Sequence, residues 1–281
     1  MTKRAGLAAV LGVILGDVAS AGALMAVCGE ISRRARSMTF TFDQVHLGVP
    51  DPEAAARWYR QYLGATRGEH TDRVMCGDTR FIFLKNEMAA PSRGSAIDHV
   101  GFSFADLDAG MQALNGSGMR VTTPVTEIAG MYRSGFIEDP WGARIEVVED
   151  PETIGFHHVH LQVPDPAVAR DWYVKRFGGA QARLKGHVDG LRYGDVWLLA
   201  DRGMAHPSRG HAIDHIGWRM ADLLVAAATL KAQDLRFTTE PHPGPATAYA
   251  PAMMSFAEDP WGGKTRVTPA LSASGPGPGL S

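Results

Sequence analysis

At 281 residues the chain has room for about two ordinary domains, and 45% hydrophobic against 21% charged residues allows a sizeable buried core. A formal net charge of −2 excludes the basic surplus of a nucleic-acid binder and of a polybasic membrane-surface module. Two cysteines, Cys28 and Cys76, exclude a disulfide scaffold and a thiolate-rich metal site, which leaves eleven histidines as the chemically suggestive inventory.

Residues 1–37 open with basic Thr2-Lys3-Arg4, run apolar from Ala5 to Gly16, and pass through the small-residue step Ala19-Ser20-Ala21. This leader reads as a secretory signal, or as an extension upstream of a start at Met38. The second reading, a cytoplasmic protein, is preferred, with export as the alternative. The apolar run is too short and too interrupted for a membrane span, so no membrane association is expected once a leader is removed. Residues 44–49 alternate like a strand. Asp51 then caps a helix with Pro52 in its first turn and an apolar stripe of Trp58, Tyr59 and Tyr62, ending near Gly64. Short strands follow at 73–76 and 80–84. A second half restarts with a strand at 96–104 and a helix opening at Asp106, with Leu107, Met111 and Leu114 on one face. Strands at 120–123, 134–137 and 144–149 complete it, the last two flanking the turn Asp139-Pro140-Trp141-Gly142. Each half reads β-α-β-β-β.

The whole pattern then repeats. QVHLGVPDPEAAARWYRQYLGA at 44–65 and HVHLQVPDPAVARDWYVKRFGG at 158–179 share eleven of 22 positions. PSRGSAIDHVGF at 91–102 matches PSRGHAIDHIGW at 207–218 in nine of 12, and EDPWG recurs unchanged. The expected fold is α+β: tandem paired βαβββ modules forming two curved-sheet, half-barrel domains. Their bounds are 38–150 and 151–270, joined near Asp150-Pro151-Glu152, with a Gly/Pro/Ser-rich disordered tail at 271–281.

Three side chains carry the chemistry. His46 is placed mid-strand opposite Val45 and Leu47, His99 occupies the comparable strand of the second half, and Glu146 lies in the last strand between Ile145 and Val147. If those faces line one cleft, they make a two-histidine, one-carboxylate set with open coordination positions, suited to iron(II), manganese, zinc or nickel.

The motifs VHLGVPDPEAAARWY, AIDHVGF and EDPWGARIEVVE, with their second-copy counterparts, resemble the vicinal oxygen chelate superfamily, which includes glyoxalase, extradiol dioxygenases, epimerases and bleomycin- or fosfomycin-resistance proteins. The resemblance covers nearly all of 38–270. It implies paired βαβββ modules, a divalent metal in a cleft, and ligands at His46, His99 and Glu146. Four-ligand members supply a further carboxylate or amide from a middle strand, where this chain offers Phe83. A three-ligand site is therefore expected, as in extradiol dioxygenases, although the histidine and tyrosine that accompany their ring-cleavage chemistry are missing before the Asp-Pro turn. Tyr132, Arg133 or His70 stand as candidate acid/base replacements. In the second copy His160 and His215 persist, but Arg266 replaces the carboxylate, so that copy is expected to lack metal. His157 and His158 offer a rescue in which at most one joins, because strand neighbours point oppositely.

The expected activity is that of a divalent-metal-dependent enzyme, iron(II) favoured, acting on a small molecule with adjacent oxygens by extradiol-dioxygenase-like carbon–carbon cleavage. A glyoxalase- or epimerase-like isomerase or lyase is the alternative, and a non-catalytic, resistance-type binding protein the third reading. The expected partner is the small-molecule substrate, with a homo-oligomer open.

Overall fold

Asp51 takes an extended backbone and its carboxylate accepts from the Ala54 N–H at 3.0 Å, which caps α1 (Pro52–Tyr62) where Pro52 fills the first turn. The same device opens α2 (Leu107–Leu114), α3 (Pro166–Phe177) and α4 (Leu223–Ala232), capped by Asp106, Asp165 and Asp222. The computed structural model describes residues 39–244 and 253–269. The leader and tail expectations lie outside the described residues. Among the described helices none is long and apolar enough to cross a membrane.

Four modules follow one another. The first is β1 (Thr41–Val49), α1, β2 (Thr66–Arg67), β3 (Arg73–Cys76) and β4 (Thr79–Lys85); the second is β5 (Ile97–Ser103), α2, β6 (Arg120–Glu127), β7 (Arg133–Glu138) and β8 (Arg144–Val148). The third is β9 (Gly155–Val163), α3, β10 (Ala180–Leu184), β11 (Val188–Tyr193) and β12 (Val196–Arg202); the fourth is β13 (Ile213–Met220), α4, β14 (Phe237–Pro243), β15 (Met253–Glu258) and β16 (Lys264–Pro269). Strand β2 escapes a reading by alternation because two residues carry no period.

The modules build two eight-stranded mixed sheets, ordered β14-β15-β16-β13-β1-β4-β3-β2 and β10-β11-β12-β9-β5-β8-β7-β6. The sheets do not follow the two copies of the sequence. Strand β1 pairs antiparallel with β13, and β5 with β9, so each sheet joins one module of the first copy to one of the second. From Thr39 onward the chain groups as one unit. The repeated PSRG loops interlock as well: Ala96 N–H donates to His206 O at 2.7 Å and Ala212 N–H to Ala90 O at 2.7 Å.

Aromatic packing explains why WY and EDPWG recur together. Tyr59 of α1 is fully buried against Phe81, Phe83 and Phe102, and its hydroxyl donates to Asp139 Oδ2 at 3.0 Å. Asp139 Oδ1 also accepts from the N–H groups of Trp141 and Ala143, closing the turn between β7 and β8. The second copy repeats the arrangement, Tyr173 to Asp259 at 2.7 Å. Trp141 packs edge-on against Trp58 at 6.1 Å, as Trp261 does against Trp172 at 6.0 Å. These motifs tie each first-half helix to a second-half hairpin. Their work is structural.

Candidate metal centre

On the β9–β5–β8 face, His99, Glu146, His158 and His160 come together. One ligand atom from each lies within 4.8 Å of the others, and all four residues are buried. Two strands supply the imidazoles by direct register, His99 opposite His160 and Gly101 opposite His158, while Glu146 lies beside Gly101 on β8. Gly101 is required here: a Cβ would stand 2.1 Å from the His158 ring.

His99 and His158 are each aimed by what holds the far nitrogen. His99 Nδ1 meets Asp98 Oδ1 at 2.8 Å, and Asp98 is itself fixed by the Gly94 N–H at 2.7 Å and by Arg144. Neighbours on a strand should point apart, but the ladder shifts register between Ile97 and His99, which lets the Asp98 carboxylate reach its neighbour's ring. A second shift skips His157 opposite Gly101 and Phe102. His157 Nδ1 therefore meets His158 Nδ1 at 2.8 Å, and its Nε2 lies 3.2 Å from Asp150 Oδ2. The Asp98–His99 and Asp150–His157–His158 chains place the proton at Nδ1 of His99 and His158 and leave a lone pair at Nε2, the arrangement that outer carboxylates impose on metal-ligating imidazoles. His160 Nε2 lies 3.2 Å from Asp201 Oδ2.

Electrostatics agree. Burial pushes the Glu146 carboxyl up, but His158 and His99 outweigh it and hold the group well below the usual carboxylate range. Burial, joined by the neighbouring His157 and His99, pulls His158 down to about 3, a neutral imidazole despite Glu146 beside it. His160 is lowered by burial and by His99. His99 is raised because Asp98 and Glu146 overcome its burial.

The donor set fits a divalent ion. Among the described residues, Nε2 of His99, Nε2 of His158 and Nδ1 of His160 are buried without a hydrogen-bond partner. Glu146 Oε2 nevertheless lies 3.5 Å from His99 Nε2 and 3.2 Å from His158 Nε2. Such spacings match ligand atoms sharing an ion at contact lengths of about 2.0–2.2 Å.

His46 does not join this group. It lies on β1 in the other sheet, stacked on His215 at 4.0 Å, with Arg266 Nη1 3.4 Å from its Nε2. Because β5 pairs with β9, the place beside His99 expected for His46 belongs to its second-copy counterpart His160. The two sheets correspond position for position: Gly217 lies between Gln44 and Arg266 as Gly101 lies between His158 and Glu146. Phe83 is also displaced from its expected role. It is buried on β4 of the His46 sheet against Tyr59, and so walls nothing at His99 and Glu146. The residue opposite His160 on β12 is Leu199.

Of the three candidate acid/base residues, Tyr132 is nearest, buried with Leu184, Trp197 and Leu199 and with its ring 5.9 Å from His157. Arg133 pairs with Asp108 at 2.6 Å and Glu149 at 3.4 Å. His70 lines a cleft with Glu53, Arg57, Arg67 and Arg73. Neither Arg133 nor His70 is part of the histidine–glutamate group. Sequence reasoning missed His158 and His160 as partners of His99. The available signal was the pair of histidines in HVHL at 158–161, one step of alternation apart and facing the same way.

The model of the Glyoxalase/Bleomycin resistance protein/Dioxygenase superfamily matches residues 41–147 and 155–266. Among solved structures, glyoxalase I from Zea mays is similar at 17% identity and a TM-score of 0.67, covering 84% of this chain and 94% of that one. A putative dioxygenase from Bacillus subtilis is similar at 15% identity and a TM-score of 0.57, covering 82% and 85%. At these identities the likeness is one of fold. No curated protein matches the chain.

Proposed function

Since the chain belongs to the Glyoxalase/Bleomycin resistance protein/Dioxygenase superfamily and carries a His/Glu group suited to a divalent metal, we propose that it is a metal-dependent enzyme acting on a small substrate with two adjacent oxygens. The observation that carries this is the set of buried imidazole nitrogens of His99, His158 and His160 around Glu146 that make no hydrogen bond among the described residues, with the His99 and His158 rings held from behind by Asp98 and His157. His99, Glu146 and His160 are the proposed ligands, with His158 as the fourth. A divalent ion held there supplies Lewis-acid polarisation of neighbouring substrate oxygens. The protein contributes orientation and dryness. Asp98 holds a proton at Nδ1 of His99, His157 holds one at Nδ1 of His158, and Tyr132 packs behind His157 to keep that chain in place.

If all four donors held a six-coordinate ion, two positions would stay open, enough for a chelating substrate. That count favours proton transfer next to a carbonyl, as in an isomerase or lyase. Oxidative carbon–carbon cleavage with iron(II) needs one more open position. It is favoured if His158 stands off the ion and leaves His99, Glu146 and His160 as the three ligands.

Elemental analysis of purified variants tests the assignment. Wild type is expected to hold near one metal equivalent, Glu146→Gln and His160→Ala to lose it, and His46→Ala to keep it. Loss in His46→Ala with retention in His160→Ala would overturn the proposal. Oxygen uptake with a catechol panel, beside deuterium exchange with α-hydroxycarbonyl compounds, separates the two reactions.

A further inference from the structure

The second sheet carries the same scaffold with its polarity inverted. Where Glu146 stands beside Gly101 and opposite Phe136, Arg266 stands beside Gly217 and opposite Phe256. Arg266 is 9% exposed, and among the described residues no carboxylate lies within ion-pair distance of its guanidinium. Asp43, whose charge favours the protonated form of Arg266, is already bound by Arg80 and Arg219. Nη1 faces His46 Nε2 at 3.4 Å, Nη2 faces the Met254 sulfur at 3.7 Å, and Nε has no hydrogen-bond partner among the described residues. Beside it the Gln44 amide, 2% exposed and folded over Gly217, also leaves its Nε2 donor unpaired. His215 completes the group, anchored through Nδ1 to Asp214 at 2.5 Å as His99 is to Asp98.

A buried guanidinium without a counter-charge is costly, and protein interiors normally pair one. This one presents a planar fork of donors next to an amide donor, the geometry that suits carboxylates and other planar or tetrahedral oxyanions. A cation is excluded from the same place by the charge of Arg266 itself. We propose that Arg266 and Gln44, flanked by His46 and His215, form a binding site for a small oxyanion, either a carboxylate or inorganic phosphate. The site is separate from the His99–Glu146 group and independent of its chemistry.

Calorimetric titration of the metal-loaded full chain tests it, with sodium acetate in one arm and inorganic phosphate in the other, at ionic strength held constant with chloride. The expected result is saturable binding of one equivalent of at least one anion, and the arm that saturates identifies the class. Arg266→Met removes an unpaired buried charge at similar volume. It is expected to fold and to bind at least about tenfold more weakly. Gln44→Leu weakens binding severalfold and serves as the second variant if Arg266→Met does not fold. Glu146→Gln, which removes the proposed metal ligand, leaves anion affinity unchanged. Absence of saturable binding in both arms, undiminished affinity in Arg266→Met or Gln44→Leu, or loss of binding in Glu146→Gln would each overturn the proposal.

Discussion

Gly101→Ala probes the part played by His158 without replacing any of the proposed ligands. A Cβ on Gly101 would lie 2.1 Å from Cε1, 2.2 Å from Nδ1 and 2.6 Å from Nε2 of the His158 imidazole, so the ring must retreat by more than an ångström. It has little freedom to do so. Its Nδ1 is engaged by His157, its Nε2 faces Glu146, and the residue is fully buried. Overpacking of this kind costs about 1–3 kcal/mol, read as a loss of about 2–4 °C in Tm per kcal/mol for a chain of this size. The larger effect is expected on metal. Displacing an imidazole held in place by its neighbours weakens affinity by about 10–100-fold, measured by competition with a chromogenic chelator. Gly217→Ala is the internal control. There the clash falls on the flexible Gln44 side chain, at 2.4 Å from Cγ, and metal affinity is expected to stay at the wild-type value. A Gly101→Ala protein that folds and binds metal as tightly as wild type would refute the place given to His158. It would leave a three-ligand site and favour the oxidative reaction.

Arg266→Glu restores a carboxylate beside His46 and His215, and the metal content of the purified protein is expected to rise from one equivalent toward two; a content still at one would show that the two faces differ by more than charge. Tyr59→Phe removes a buried donor from Asp139 and is expected to cost about 1–3 kcal/mol in urea unfolding. Tyr173→Phe should cost a similar amount through Asp259, and an unaltered midpoint in both would deny the turn-anchoring role. Burial pushes the Cys76 thiol far above its ordinary value, so at pH 8 it is a protonated, inaccessible group. Peptide-mapped alkylation of folded protein should leave Cys76 unmodified within an hour and modify it fully in denaturant; rapid labelling without denaturant would contradict the packing described for β3.

Much of this architecture can be read from the chain. Asp51-Pro52 and Asp165-Pro166 announce helix starts through cap and first-turn chemistry, and the duplicated VHL, AIDH and EDPWG segments announce four related modules. The pairing of strands is not legible in the same way. β1 and β9 share the segment V-H-L-x-V-P-D-P, so nothing local tells β5 which of them to accept, and tertiary packing decides. That single choice moves His46 away from His99 and puts His160 in its place. Alternation also fails where the ladder slips. The skipped residue at His157 and the shift after Ile97 bring adjacent side chains together, which a strict period of two forbids. Phe83 was expected to mark a missing ligand, but it faces α1, because a strand's alternation tells which residues share a face and not which face meets the cleft.

The exchange of partners between β1–β13 and β5–β9 yokes the two copies to one another. A chain ending at residue 150 would surrender two of the three imidazoles around Glu146, since His158 and His160 lie on β9. A substitution at 266, near the far end, alters the surroundings of His46 near the beginning. Within this chain neither copy completes a sheet or the histidine–glutamate group from its own residues.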